Sequence, residues 1–171
     1  LIKELREKTG AGVMDCKSAL KVAGGDVHKA LEILNKKGIS IAMKKSSRVA
    51  KEGIISSYIH HSSKIGVLIE VNCETDFVAR NEVFNSFVKD ITMQIAATNP
   101  GYVRTEDVSS DLTEKLSDEG KQEFLKQNCL LEQPFIKDQN IIIKDYLTQL
   151  IAKIGENIVI RRFARYKIGE E

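Results

Sequence analysis

Ile54-Ile55-Ser56-Ser57-Tyr58-Ile59-His60-His61-Ser62-Ser63-Lys64-Ile65-Gly66-Val67-Leu68-Ile69-Glu70-Val71 is the stretch that decides the fold class. Two runs rich in β-branched residues flank five polar ones, the pattern of a β-hairpin with a longer loop. Upstream of Gly53 the apolar period is helical. Leu1, Ile2 and Leu5 begin a short helix that the turn Thr9-Gly10-Ala11-Gly12 ends. Val13, Cys16, Leu20 and Ala23 mark a second helix, stopped by Gly24-Gly25. Asp26 offers a cap to a third, with Val27, Ala30, Leu31 and Leu34 on one face, and Gly38 reads as its C′ residue.

Downstream, Phe84, Phe87, Val88, Ile91 and Ile95 share a helical face that Asn99-Pro100-Gly101 closes. A polar helix is expected over 111–128. Ile143, Leu147, Leu150, Ile151 and Ile154 form another apolar stripe closed by Gly155, and Ile158 to Ile168 reads as a terminal strand. Strands joined by hairpins and helices make the second part α+β.

The chain has 171 residues, 42% of them apolar and 29% charged, with a formal net charge of +2. This balance suits a folded domain and argues against intrinsic disorder. A chain of this size buries on the order of 70% of its unfolded surface, enough for a core without covalent staples. No apolar run approaches the ~20 residues of a membrane span, and no secretory h-region opens the sequence. Cys16, Cys73 and Cys129 are scattered in apolar contexts and form neither a disulfide framework nor a zinc motif, so they read as core residues of a reducing compartment.

Charge is uneven. Residues 1–53 carry 12 basic and 6 acidic side chains. Lys44-Lys45-Ser46-Ser47-Arg48-Val49-Ala50-Lys51-Glu52-Gly53 reads as a basic linker or a solvated helix end. No aromatic residue precedes Tyr58, so this arm lacks a platform on which bases could stack. The C-terminal Arg161, Arg162, Arg165 and Lys167 suit a solvated edge strand, with a partner contact as second choice.

The segment Asn72-Cys73-Glu74-Thr75-Asp76-Phe77-Val78-Ala79-Arg80-Asn81 lies between an expected strand and an expected helix. It admits two readings. In one, Thr75 or Asp76 caps a helix and Phe77 packs on the core. In the other, the loop presents a carboxylate beside a large aromatic ring, a pair able to wedge a partner's groups apart. Pattern alone does not choose. His60-His61 reads as a solvated turn, since two adjacent imidazoles make a poor metal site. A Cys73/His60 nucleophile pair lacks an orienting third group. Gly10-Ala11-Gly12 has neither the preceding strand nor the Gly-Lys-Ser/Thr ending of a nucleotide cradle.

Taken together, several segments resemble one known family. They are Leu5-Arg6 followed by Thr9-Gly10-Ala11-Gly12-Val13-Met14-Asp15-Cys16-Lys17-Ser18-Ala19-Leu20, the run from Val71 to Asn81, Ile91 to Pro100, Gln133-Pro134-Phe135, and Ala152-Lys153-Ile154-Gly155-Glu156-Asn157-Ile158. In order and almost from end to end, they resemble the translation elongation factor Ts family. The resemblance implies a guanine nucleotide exchange factor for the GTPase EF-Tu. Such a factor binds EF-Tu·GDP, disturbs its Mg²⁺ and phosphate site and promotes GDP release so that GTP can bind.

The fold implied is α+β. A ubiquitin-associated-like three-helix module spans 1–43, a basic linker 44–53, and an α+β core 54–171, with a small antiparallel sheet packed on helices. By motif, Thr75, Asp76, Phe77 and Val78 form the loop that intrudes near the Mg²⁺ of EF-Tu. Val13 and Met14 dock the N-terminal module on a helix of the GTPase domain, with Val at position 13 where many relatives carry Met. His60 is a further candidate partner contact. Short family members with a single core unit are expected to pair, which implies a homodimer. The short form and the Leu130–Asp138 segment resemble cyanobacterial and plastid members, so bacterial cytoplasm and plastid stroma both stand. The resemblance implies no resident metal or cofactor, no covalent chemistry, and no direct contact with nucleic acid or membrane. The rival readings are a ubiquitin-type module, an RNA-binding module without exchange activity, and a cysteine hydrolase.

Overall fold

The structure is a computed structural model that describes residues 1–170. The chain divides into two units: Leu1–Val49 with Leu147–Ile158, and Ala50–Tyr146 with the strand from Val159 onward. Its elements are mixed helix and strand, and the fold class is α+β.

In the first unit the helices are α1 (Ile2–Thr9), α2 (Val13–Val22) and α3 (Val27–Lys45). Leu5, Cys16, Ala19, Leu20, Ala30 and Leu34 are buried together, each contributed by the apolar face that helical spacing predicts. Asp26 caps α3 by accepting from the amides of His28 and Lys29 at 2.9 and 3.1 Å. The Asp15 carboxylate receives Lys37 Nζ at 2.6 Å, joining the start of α2 to α3.

Gly38 does not end the third helix, which continues through it to Lys45. A Cβ at Gly38 would lie 3.6 Å from the Cβ of Ala152, so the small residue serves close packing against a second helix segment. Lys44 and Lys45 are therefore helical. The following turn is held by Asn157, whose Nδ2 donates to the Arg48 carbonyl at 2.7 Å.

In the second unit, β1 (Glu52–Ile59), β2 (Ile65–Cys73) and β5 (Val159–Lys167) form an antiparallel sheet in the order β1-β2-β5. The register pairs Ile54 with Val71 and Ile69 with Phe163. It slips between Glu70–Arg162 and Val71–Ile160, leaving Arg161 as the extra residue of a bulge. Val67, Ile69, Val71 and Cys73 alternate onto one buried face. Against the sheet lie α4 (Asp76–Ala79) and α5 (Glu82–Thr98). Phe84, Phe87, Val88, Ile91 and Ile95 of α5 are all fully enclosed.

The expected helix over 111–128 is shorter. A 3₁₀ turn occupies Ser110–Leu112, and α6 (Asp118–Asn128) starts where the Ser117 hydroxyl accepts from the Gly120 amide at 3.1 Å. Sequence periodicity did not indicate the short hairpin of β3 (Pro134–Phe135) and β4 (Asp138–Ile142). Tertiary contacts hold it. Gln94, fully buried, donates to the Pro134 carbonyl at 3.1 Å and accepts from the Ile136 amide at 2.9 Å. Asp90 receives Lys137 Nζ at 2.6 Å and the Tyr146 hydroxyl at 2.8 Å. Burial, then the Asp90 carboxylate, pushes the Tyr146 phenol well above its ordinary range. Helix α7 (Ile143–Ile154) follows and ends at Gly155.

Candidate functional site: the Thr75–Asn81 loop

The loop leaves β2 at Cys73, whose thiol donates to the Thr75 carbonyl at 3.1 Å. Thr75 has extended backbone angles and caps α4, its hydroxyl accepting from the Val78 amide at 3.3 Å. The cap was one of the two readings the sequence allowed. Its companion expectation, Phe77 packed on the core, does not hold: Phe77 is 80% exposed, while Val78 beside it is only 6% exposed. One helical turn explains the split. Val78 and Ala79 turn inward and anchor α4, whereas Asp76, Phe77 and Arg80 share the outward side. Arg80 Nη2 meets Asp76 Oδ2 at 3.1 Å across that side. Both groups are largely solvated, so this pair adds little stability.

At the far end of the loop, Asn81 caps α5 by accepting from the Val83 amide at 2.8 Å. Asn85 Nδ2 donates to the carbonyls of Ala79 at 3.0 Å and Asn81 at 2.9 Å. Asn85 was not singled out from the sequence, because an Asn in a first helical turn carries no pattern signal.

In the N-terminal unit, Val13 and Met14 open α2 at 47% and 73% exposure. Neither belongs to the buried cluster of that unit.

His60 sits apart from the Phe77 loop. Glu52 pairs with Cys73 at one end of the hairpin and Ile59 with Gly66 at the other. Seven residue steps separate these ends, about 23 Å along a strand. The Tyr58 hydroxyl is hydrogen-bonded to His60 Nδ1 at 3.0 Å, and the His60 and His61 rings lie 4.1 Å apart. The same separation removes the Cys73/His60 nucleophile pair, and Cys73 is fully buried.

On β5, Arg162 Nε meets Glu70 Oε2 at 2.7 Å, and Arg165 Nη1 meets Glu170 Oε2 at 2.7 Å. Lys167 Nζ lies 3.0 Å from Glu170 Oε1, so much of this basic strand is neutralised within the chain. The Arg162 and Asn72 hydrogen bonds hold the Glu70 carboxyl below its ordinary range. Among the described residues no three His, Cys, Asp or Glu side chains gather to hold a metal ion. No helix among them is long and apolar enough to cross a membrane.

The elongation factor Ts family profile matches residues 6–122. The chain belongs to the elongation factor Ts family. The elongation factor Ts of Carboxydothermus hydrogenoformans is 53% identical over 191 residues, covering 99% of this chain and 88% of that protein. Those of Thermodesulfovibrio yellowstonii and Caldanaerobacter subterraneus are each 52% identical over 190 residues, with 99% of this chain and 95% of the relative covered. Val13, Met14, His60 and the whole Thr75–Asn81 loop lie inside the stretch matched by the elongation factor Ts profile. The family is one of translation elongation factors.

Proposed function

We propose that this chain is the guanine nucleotide exchange factor of EF-Tu and that Phe77 is its wedge. The observation that carries this reading is the solvated ring of Phe77 on a turn whose next two residues are buried. An exposed phenylalanine forgoes on the order of 2 kcal/mol of burial, a gain that only a partner could supply. GDP is held by a phosphate cradle and by Mg²⁺, which neutralises phosphate charge. A ring driven into that neighbourhood leaves the phosphates less compensated and speeds their departure. No bond is made or broken. By linkage, a factor that weakens GDP binding is itself bound less tightly by the GDP form, in the same ratio.

Asp76, at the first position of the turn, orients the loop, its backbone carbonyl accepting from the Arg80 amide. Thr75 and Val78 hold the turn, by cap and by packing. Val13 and Met14 form the second contact, an apolar pair presented by the three-helix, ubiquitin-associated-like module of residues 1–43. The basic stretch 44–53 joins it to the core of 54–171. His60, at the opposite end of the hairpin from Phe77, serves any partner contact it makes as a separate point.

The core also pairs with a second copy. On the sheet face away from α5, Ile55, Ile59, Leu68 and Tyr166 are exposed, and Ile59, Gly66 and Tyr166 stand in one row across the three strands. These apolar side chains, on a face that also carries the Glu70–Arg162 ion pair, suit a homodimer contact. Compartment follows the partner: bacterial cytoplasm, in line with the bacterial relatives, with plastid stroma as the alternative.

The test is release of fluorescent GDP from purified EF-Tu with and without the chain. Stimulation supports exchange activity; an unchanged spontaneous rate refutes it. Sedimentation at micromolar concentration tests pairing, and a lone 19.1 kDa species would refute the homodimer.

A further inference from the structure

Helix α4 has four residues, far too few to hold helical geometry alone. Its shape is imposed from outside. Thr75 caps its first turn, Val78 and Ala79 pack beneath it, and its last carbonyl has no partner within the helix. Asn85, on the first turns of α5, supplies that partner. Both hydrogens of its side-chain amide are used, one on the Ala79 carbonyl at 3.0 Å and one on the Asn81 carbonyl at 2.9 Å. A planar amide that grips two carbonyls two residues apart fixes the path of the chain between α4 and α5. Phe77, exposed to solvent, has little packing of its own to aim it, so the backbone of α4 sets its direction.

We infer that Asn85 is a positioning residue of the exchange loop: its amide clamps the end of α4 and so fixes where the Phe77 ring points. This inference rests on the proposed role of Phe77. The clamp is separate from the cap of α5, which the Asn81 side chain provides through the Val83 amide. It is also separate from the solvated Asp76–Arg80 pair.

The experiment compares the parent chain with its Phe77→Ala, Asn85→Ala and Asn85→Asp variants and the Phe77→Ala/Asn85→Ala double variant. Each is assayed for stimulated release of fluorescent GDP from EF-Tu. Asn85→Asp keeps the side chain's shape and removes both donors, so it serves where the alanine variant folds poorly. Loss of two hydrogen bonds predicts a roughly five- to tenfold lower stimulated rate in either Asn85 variant. In the Phe77→Ala background the Asn85 substitution changes nothing further. Hydrogen exchange on the free chain supplies the second readout. The Arg80 and Asn81 amides, bonded to the Asp76 and Val78 carbonyls, exchange faster in Asn85→Ala while β2 amides keep their rates.

A wild-type release rate for both Asn85 variants, beside a slow Phe77→Ala, overturns the clamp and leaves the wedge standing. So does an equal Asn85 loss in both backgrounds, which would mark a general contribution to folding. A wild-type rate for Phe77→Ala overturns the wedge and the clamp together.

Discussion

Phe77 and Val78 are adjacent in sequence and opposite in environment, the ring 80% exposed and the isopropyl group 6% exposed. The contrast separates the proposed partner contact from stability within one helical turn. Val78→Ala removes buried methyl groups and is expected to cost about 2 kcal/mol of stability. Phe77→Ala is expected to stay within about 0.5 kcal/mol of the parent, as at other solvated positions. Urea melts of the two variants check both values, and a destabilised Phe77→Ala would mean that the ring packs in its own chain.

Gly53 is the position where backbone geometry admits the least freedom. Its φ is +145°, and a Cβ there would stand 2.2 Å from the Val71 carbonyl oxygen. Gly53→Ala is expected to cost on the order of 3 kcal/mol or more, because the atom in the way is backbone of the central strand. A fall in melting temperature with the chain otherwise folded checks it.

Asp26 gives the N-terminal helices an acid sensitivity. The amide of Lys29 donates to its carboxylate and holds its pKa below the ordinary range; burial opposes this, and the amide of His28 adds a lesser lowering. A depressed folded pKa means stability that is fully present above the unfolded value of about 4 and lost as pH falls through the folded one. The difference in melting temperature between the parent and Asp26→Ala is therefore expected to be constant above about pH 5 and to shrink below about pH 4. A difference that grows on acidification would contradict the cap.

The three thiols are all buried: Cys16, Cys73 and Cys129. Burial, followed by the nearby carboxylates Glu132, Asp107 and Glu106, pushes the Cys129 thiol up and disfavours its thiolate. A thiol-reactive dye is expected to label the native chain slowly and all three sites in denaturant. Rapid native labelling of Cys73 would revive a nucleophilic role for it.

Much of the core was legible in the sequence because its signals are local. The alternation from Ile65 to Val71 and the Phe84–Ile95 stripe each state which face is buried, and Asn99, at φ 50°, closes α5 where Asn-Pro-Gly indicated. Gly38 misled because a glycine near a helix end signals a cap, whereas its missing side chain here admits Ala152. The β3–β4 hairpin was invisible because distant side chains, Gln94 and Asp90, hold it. The Thr75–Asn81 segment indicated a helix start but not the ring's direction, since a helix-start pattern is the same whether its aromatic points in or out. Asn85 left no trace for a related reason: its two acceptors are backbone carbonyls, which no side-chain pattern records.

The most direct test of the wedge is the rate at which EF-Tu releases fluorescent GDP in the presence of Phe77→Ala, compared with the parent chain at equal concentration. Loss of a central aromatic contact predicts a stimulated rate lower by on the order of tenfold or more, with the fold intact by circular dichroism. Release at the parent rate would contradict the account.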